Sequence, residues 1–199
     1  MTTLVFLVRH AVHDLVSRVL TGRSPGMGLS EAGHRQAERI AERLAEEKIG
    51  ALYASPQERA RQTAEPIAHR LGLEVRSAEA MDEVDFGAWA GQSFEALESD
   101  PNWALWNRTR SLARPPGGES MVEVQARAVR WLRRLPATRP GGGVAVVSHG
   151  DVIRAALAYF LGMPLDHMTR LEVSPGSLSL LAMGEAEARV LQVNEAVAA

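Results

Sequence analysis

The stretch Leu4-Val5-Phe6-Leu7-Val8-Arg9-His10 decides the fold. Five apolar residues in unbroken succession, too few for a helix, read as a strand buried on both faces of a parallel sheet. Arg9 and His10 then stand at its carboxyl end. Val144-Ala145-Val146-Val147 repeats the pattern and leads through Ser148 into His149. In open α/β sheets, ligands bind beyond the carboxyl ends of the strands. Two such strands bring Arg9, His10 and His149 to one rim, which is a catalytic arrangement.

The flanking sequence alternates helix and strand. A glycine-rich loop, Thr21 to Leu29, precedes Ser30, an N-cap for a helix with Ala37, Ile40, Ala41 and Leu44 on one face. Ala51 to Ala54 reads as a second strand, Ser55-Pro56 as a helix start, and Gly72 as that helix's left-handed C-terminal residue. Pro66 predicts a kink or interruption. Leu73 to Val75 is a short strand candidate. A further helix near Glu119 carries Val122, Ala126, Val129 and Leu132 on one side. Pro136 to Gly143 is turn-rich, and Ile153 to Leu161 form a helix stopped by Gly162 and Pro164. Leu171 to Val173, Leu178 to Leu181 and Val190 to Val193 read as short strands. The segment from about 81 to 116, with Trp89, Trp103 and Trp106, breaks the alternation and reads as a partly helical insertion over the rim. The expected architecture is α/β: a three-layer α/β/α sandwich with a mixed, mainly parallel sheet, forming a single domain over 1–199.

Composition narrows the function classes. The length of 199 residues suits one domain with a sizeable core, and 46% hydrophobic with 23% charged residues is ordinary for a soluble protein. A net charge of −2 gives no general attraction to nucleic acid. No apolar run approaches the roughly 20 residues of a membrane-spanning helix, and the first residues lack a signal-peptide pattern. With no cysteine, disulfides and thiolate catalysis are excluded, and a cytoplasmic location is expected.

Histidines and arginines gathered at one rim suit an anionic substrate, above all a phosphate, because the planar guanidinium matches phosphate oxygens bidentately. An imidazole can attack phosphorus and split one difficult displacement into two. The candidates are Arg9, His10, Arg23 at the end of the glycine-rich loop, Arg59 and His149, with Glu83 in the insertion. His13 borders either the substrate pocket or the surface. Its spacing from His10 lacks the further ligands a metal site needs, so neither metal nor cofactor is expected. His34, His69 and His167 lie outside the candidate motifs.

Five motifs in order carry a family resemblance: Leu7-Val8-Arg9-His10, the run Ser55 to Ala64 (SPQERARQTA), the run Glu83 to Gly91 (EVDFGAWAG), Gly117-Gly118-Glu119-Ser120, and Ser148-His149-Gly150. Together they resemble the histidine phosphatase superfamily, the phosphoglycerate mutase-like group. The resemblance implies that His10 is the nucleophile and becomes phosphohistidine. It implies that Arg9, Arg59 and a cationic His149 hold the phosphoryl oxygens, and that Glu83 is the general acid and base. Arg23, His13 and Gly150 are the further substrate-binding candidates. The partner so implied is a small phosphorylated substrate, with neither nucleic acid nor membrane, and a homodimer as an open alternative. Ala11 stands where the family usually has glycine, which a negative φ permits. Val12, His13 and Val16 replace the polar residues of the mutase-like opening, which favours hydrolysis over phosphoglycerate mutase-like transfer. A non-catalytic phosphate-binding module is the alternative of another class.

Overall fold

The structure is a computed structural model that describes residues 2–15, 18–138 and 141–197; Val16 lies outside them. Six strands form one sheet: β1 (Thr3–Arg9), β2 (Ile49–Ala54), β3 (Val75–Ser77), β4 (Gly143–Ser148), β5 (Leu178–Met183) and β6 (Ala188–Glu195). Their order is β3-β2-β4-β1-β5-β6. The first four are mutually parallel, while β5 runs antiparallel to both β1 and β6. This is the mixed, mainly parallel sheet expected from the sequence.

Alternation along β1 divides the core. Val5 and Leu7 face one side with Val144, Val146 and Leu181, whereas Phe6 and Val8 face the other with Ala145, Val147 and Leu178. Helices α1 (Glu31–Leu44) and α2 (Glu58–Leu71) cover the second side with Ile40, Ala41, Leu44, Ala60, Ala64 and Ile67. On the first side, α5 (Met121–Leu132) and α7 (Gly150–Phe160) pack Val124, Ala128, Leu132, Ile153, Ala156 and Leu157. A central strand buried on both faces therefore needs a run of apolar residues, as β1 has from Leu4 to Val8 and β4 from Val144 to Val147.

Helix starts follow their caps. Ser30 accepts from the Gly33 N–H, and Ser120 with Glu123 forms a reciprocal capping box at α5. In the 81–116 segment, 3₁₀ turns at Glu79–Met81 and Gly87–Trp89 precede α3 (Phe94–Glu98) and α4 (Pro101–Arg108). Trp89 meets Trp103 and Trp106 edge to face, and Phe86 meets Trp106 likewise, so the tryptophans are packing residues. A backbone bridge between Val19 and Ser93 ties the segment to the loop after β1.

Several local expectations are corrected. Helix α2 is not interrupted at Pro66, because Ala60, Ala64 and Ile67 bury its inner face on both sides of the missing N–H. Its N-cap is Gln57 rather than Ser55. The third strand lies at Val75–Ser77, slightly beyond Leu73 to Val75. The 136–143 connection includes the end of a one-turn helix, α6 (Leu135–Thr138). Val122 and Ala126 point outward from α5, whose buried face carries Met121, Val124, Ala128, Val129 and Leu132. Leu171 to Val173 form no strand; the Leu171 and Val173 carbonyls instead accept from Arg154 and Arg9.

Candidate active site

β1 and β4 end side by side, and their register builds the site. Arg9 pairs with Ser148, and the His10 N–H donates to the Ser148 carbonyl at 2.9 Å. His10 and His149, one residue beyond the ladder on each strand, therefore meet with ring centroids 5.2 Å apart. Arg59 enters from the first turn of α2, and Glu83 from the segment after β3. Arg9, His10, His13, Glu83 and Gly150 line a pocket of about 420 Å³ that Val19, Leu20, Phe86 and Phe94 wall on the apolar side. Arg59 and His149, both fully buried, touch His10 and Glu83 from one layer deeper.

Hydrogen bonds fix the state of His10. Its Nδ1 lies 2.8 Å from the Ala11 carbonyl, which can only accept, so Nδ1 carries the proton. Nε2 keeps its lone pair and receives a long 3.3 Å contact from Arg59 Nε–H. Burial, then the Arg59 charge, pushes His10 well below the ordinary imidazole range, so it is neutral near pH 7. Its neighbour Ala11 has no positive φ, as the glycine replacement requires. The Ala11 N–H donates to Thr63 Oγ1, whose hydroxyl donates to the Arg59 carbonyl, linking the residue after His10 to α2.

Arg59 is 1% exposed. Its Nη2 donates to the Gly22 carbonyl at 2.8 Å and approaches His149 Nδ1 at 3.2 Å and Glu83 Oε2 at 3.5 Å. Its Nη1 is buried with no partner, and so is Arg9 Nε. Arg9 Nη1 is anchored on the Val173 carbonyl. A β-carbon on Gly150 would stand 3.2 Å from the Arg9 guanidinium, so glycine at the start of α7 leaves that group its place. Buried donors without acceptors are costly, and two of them beside a neutral imidazole describe a seat for an oxyanion.

His149, expected as a cation, is shifted toward the neutral form in the ligand-free site: burial, then Arg59 and His10, push it well below the ordinary imidazole range. Glu83 is shifted the opposite way: desolvation raises it despite the opposing Arg59 charge. His13 is buried, 5.6 Å from the His10 ring, and lowered to about 4 by burial, Arg59 and Arg9.

Arg23 is placed differently from the other candidates. It does not line the pocket; its Nε donates to the Glu83 carbonyl and its Nη2 to Glu119. Arg127 of α5 donates to that same carbonyl, to the Ala80 carbonyl and to Glu119. Glu119 also accepts from the Asp85 N–H. Together they hold the Glu83 segment from behind.

Sequence comparison matches this architecture to the histidine phosphatase superfamily, branch 1, over residues 5–196. The chain belongs to that superfamily. A phosphoserine phosphatase of Hydrogenobacter thermophilus is 31% identical over 195 residues, covering 96% of this chain and 91% of that protein. A bifunctional protein of Mycobacterium tuberculosis is 37% identical over 182 residues, covering 89% of this chain. The chain spans only 50% of the length of that relative and of two other mycobacterial relatives. Among solved structures, a mycobacterial glucosyl-3-phosphoglycerate phosphatase superposes with a TM-score of 0.88 at 27% identity, covering 98% of this chain and 100% of that one.

Within this histidine phosphatase superfamily member, sequence reasoning missed four supporting residues: Ser55, Asp82, Arg127 and the side chain of Glu119. Ser55 and Glu119 stood inside quoted motifs, and that was their signal. Asp82 and Arg127 offered none, because their partners are backbone groups and residues distant in sequence.

Proposed function

We propose that the chain is a phosphomonoester hydrolase that acts on a small phosphorylated metabolite through a phosphohistidine at His10. One observation carries the reading: a neutral imidazole with its Nε2 lone pair available, beside buried, partnerless guanidinium nitrogens on Arg9 and Arg59. The names of the relatives, phosphoserine phosphatase and glucosyl-3-phosphoglycerate phosphatase, support a small metabolite as substrate.

His10 Nε2 attacks phosphorus, the bond to the leaving oxygen breaks, and the Glu83 carboxyl gives that oxygen a proton. The raised position of Glu83 suits an acid that must hold its proton at working pH. Arg9 and Arg59 offset the charge on the phosphoryl oxygens as fixed donors in a water-poor site, and His149 joins them once it takes up a second proton as the phosphate binds. Water then attacks phosphohistidine, Glu83 takes its proton, and phosphate leaves. His13 and Gly150 border the bound substrate, whereas Arg23 acts on it through Glu83. The apolar wall of Val19, Leu20, Phe86 and Phe94, with Val12 in the loop after the nucleophile, favours hydrolysis over mutase-like transfer. That wall offers a sugar acid no polar side chain to hold while it reorients, and the polar lining lies on the other side, with Thr21, Asp151 and Arg154.

The test is to quench turnover and look for protein-bound phosphate that is acid-labile and base-stable, lost in His10→Ala. Persistence of the label in that variant would refute the assignment. A phosphomonoester panel that includes 3-phosphoglycerate, with and without its bisphosphate primer, separates hydrolase from mutase. Binding of phosphorylated compounds without turnover would instead mark a non-catalytic module.

A further inference from the structure

We infer that Ser55 and Asp82 are positioning residues for His149, fixing Nε2 as its protonated nitrogen and leaving Nδ1 as the ring atom offered to the phosphoryl group. The inference deepens the phosphohistidine reading and rests on it, since there His149 contacts a phosphoryl oxygen.

The shorter contacts select one assignment over the longer 3.4 Å approach of Glu83 Oε2 to Nδ1. A carboxylate only accepts, so the Ser55 hydroxyl, 2.9 Å from Asp82 Oδ1, donates to it. With its single proton engaged there, Ser55 Oγ accepts from His149 Nε2 at 2.8 Å. A guanidinium only donates, so the 3.2 Å contact from Arg59 Nη2 falls on an unprotonated Nδ1. All three bonds are buried. Asp82 Oδ1 is held further by Gln57 Nε2 at 2.9 Å and by the Glu83 N–H at 2.7 Å, while Oδ2 lies 3.2 Å from Arg23 Nε. Asp82 thus joins the general acid's own backbone to the imidazole. Ser55 is tied to β4 as well, its N–H donating to the Val147 carbonyl at 2.9 Å.

The groups facing His149 explain why such an anchor is needed. Arg59 approaches from α2, His10 and Arg9 from the end of β1, Arg127 from α5, and Glu83 from its own segment at 3.4 Å. Without a partner for Nε2, neither the orientation of the ring nor the nitrogen that carries its single proton would be fixed. The nitrogen that carries the proton is set by the bond the other one makes. The Ser55 bond keeps Nε2–H engaged and leaves Nδ1 free to take a second proton from a phosphomonoester monoanion as it binds, after which the Nδ1–H of the imidazolium donates to the phosphoryl oxygen.

The test uses the full chain with ¹⁵N-labelled histidine, His149 being assigned by the signal lost in His149→Gln. The expected result near neutral pH is the neutral Nε2–H tautomer in the parent protein. Asp82→Asn should retain it, because the amide oxygen still accepts from Ser55. Ser55→Ala should lose the single-tautomer signature. Its kcat on an alkyl phosphate should fall roughly tenfold to hundredfold, the scale of a hydrogen bond to a charged group, with KM little changed. An Nδ1–H tautomer in the parent would overturn the inference. So would a Ser55→Ala spectrum like the parent's, even with reduced turnover. Failure to trap phosphate on the parent, with the tautomer pattern intact, would sink the phosphohistidine reading instead and leave the placement of the proton standing.

Discussion

Two pairs of arginines flank Glu83, and they are built in opposite ways. Arg9 and Arg59, on the pocket side, each keep a buried nitrogen without an acceptor. Arg23 and Arg127, on the far side, share the Glu83 carbonyl and the Glu119 carboxylate between them. A buried cation left partly unsatisfied lowers stability and holds a place for an anion. A saturated one braces the chain and has little left to offer a ligand. Within these two pairs, the difference sets the proposed phosphate ligands apart from the bracing arginines where residue type alone does not.

Substitutions can break or sharpen this contrast. The largest effect is expected between the two pairs, at Glu83→Gln, which should lower kcat on alkyl phosphates by about 10²–10⁴. The loss should shrink with a nitrophenyl leaving group, which hardly needs a proton; equal losses on both esters would deny Glu83 its acid role. Next, Arg59→Met should lower kcat by about 10²–10³, the scale for one fixed donor to a developing oxyanion. Its melting temperature should change little, since the removal of a buried, underpaired charge offsets the loss of the donor to the Gly22 carbonyl. Arg127→Met should do the reverse, costing about 1–3 kcal/mol of stability by orphaning the Ala80 carbonyl and leaving Glu119 and the Glu83 carbonyl to Arg23, with a smaller loss of turnover. Melting curves and kinetics of the two variants measure this directly, and matching profiles would erase the distinction.

The smallest effect is on pH dependence. His10, His13 and His149 are all lowered in the folded protein. The unfolded chain therefore binds more protons below about pH 6.5, and stability falls as pH drops through the window that for His13 reaches about 4. Glu83 works against this: its raised folded value adds stability at low pH that is lost as pH rises through it. Three groups oppose one, so the melting temperature should fall between pH 7 and 5, and added phosphate should raise it by binding the folded state alone. A flat profile would mean that the histidines are not held neutral.

The sheet was legible because β1 and β4 are buried on both faces and carry unbroken apolar runs. His10, His149 and Arg59 were legible through position and motif together. Glu83 depended on motif, since nothing in the periodicity of 81–116 places one carboxyl rather than another. Arg23 was legible as important but not in role, because its acceptor is a main-chain carbonyl. The strand expected at Leu171 to Val173 failed for the same kind of reason. Its apolar ends suit a ladder, yet Arg9 and Arg154 claim its carbonyls, and side-chain donors from afar leave no local trace.

The bond from the His10 N–H to the Ser148 carbonyl has a consequence for how this protein dies. The His10 amide belongs to the central ladder, not to a loop, so its hydrogen can exchange with solvent only when the sheet itself opens. In rising denaturant, loss of the geometry around His10 and loss of the fold should then be a single event.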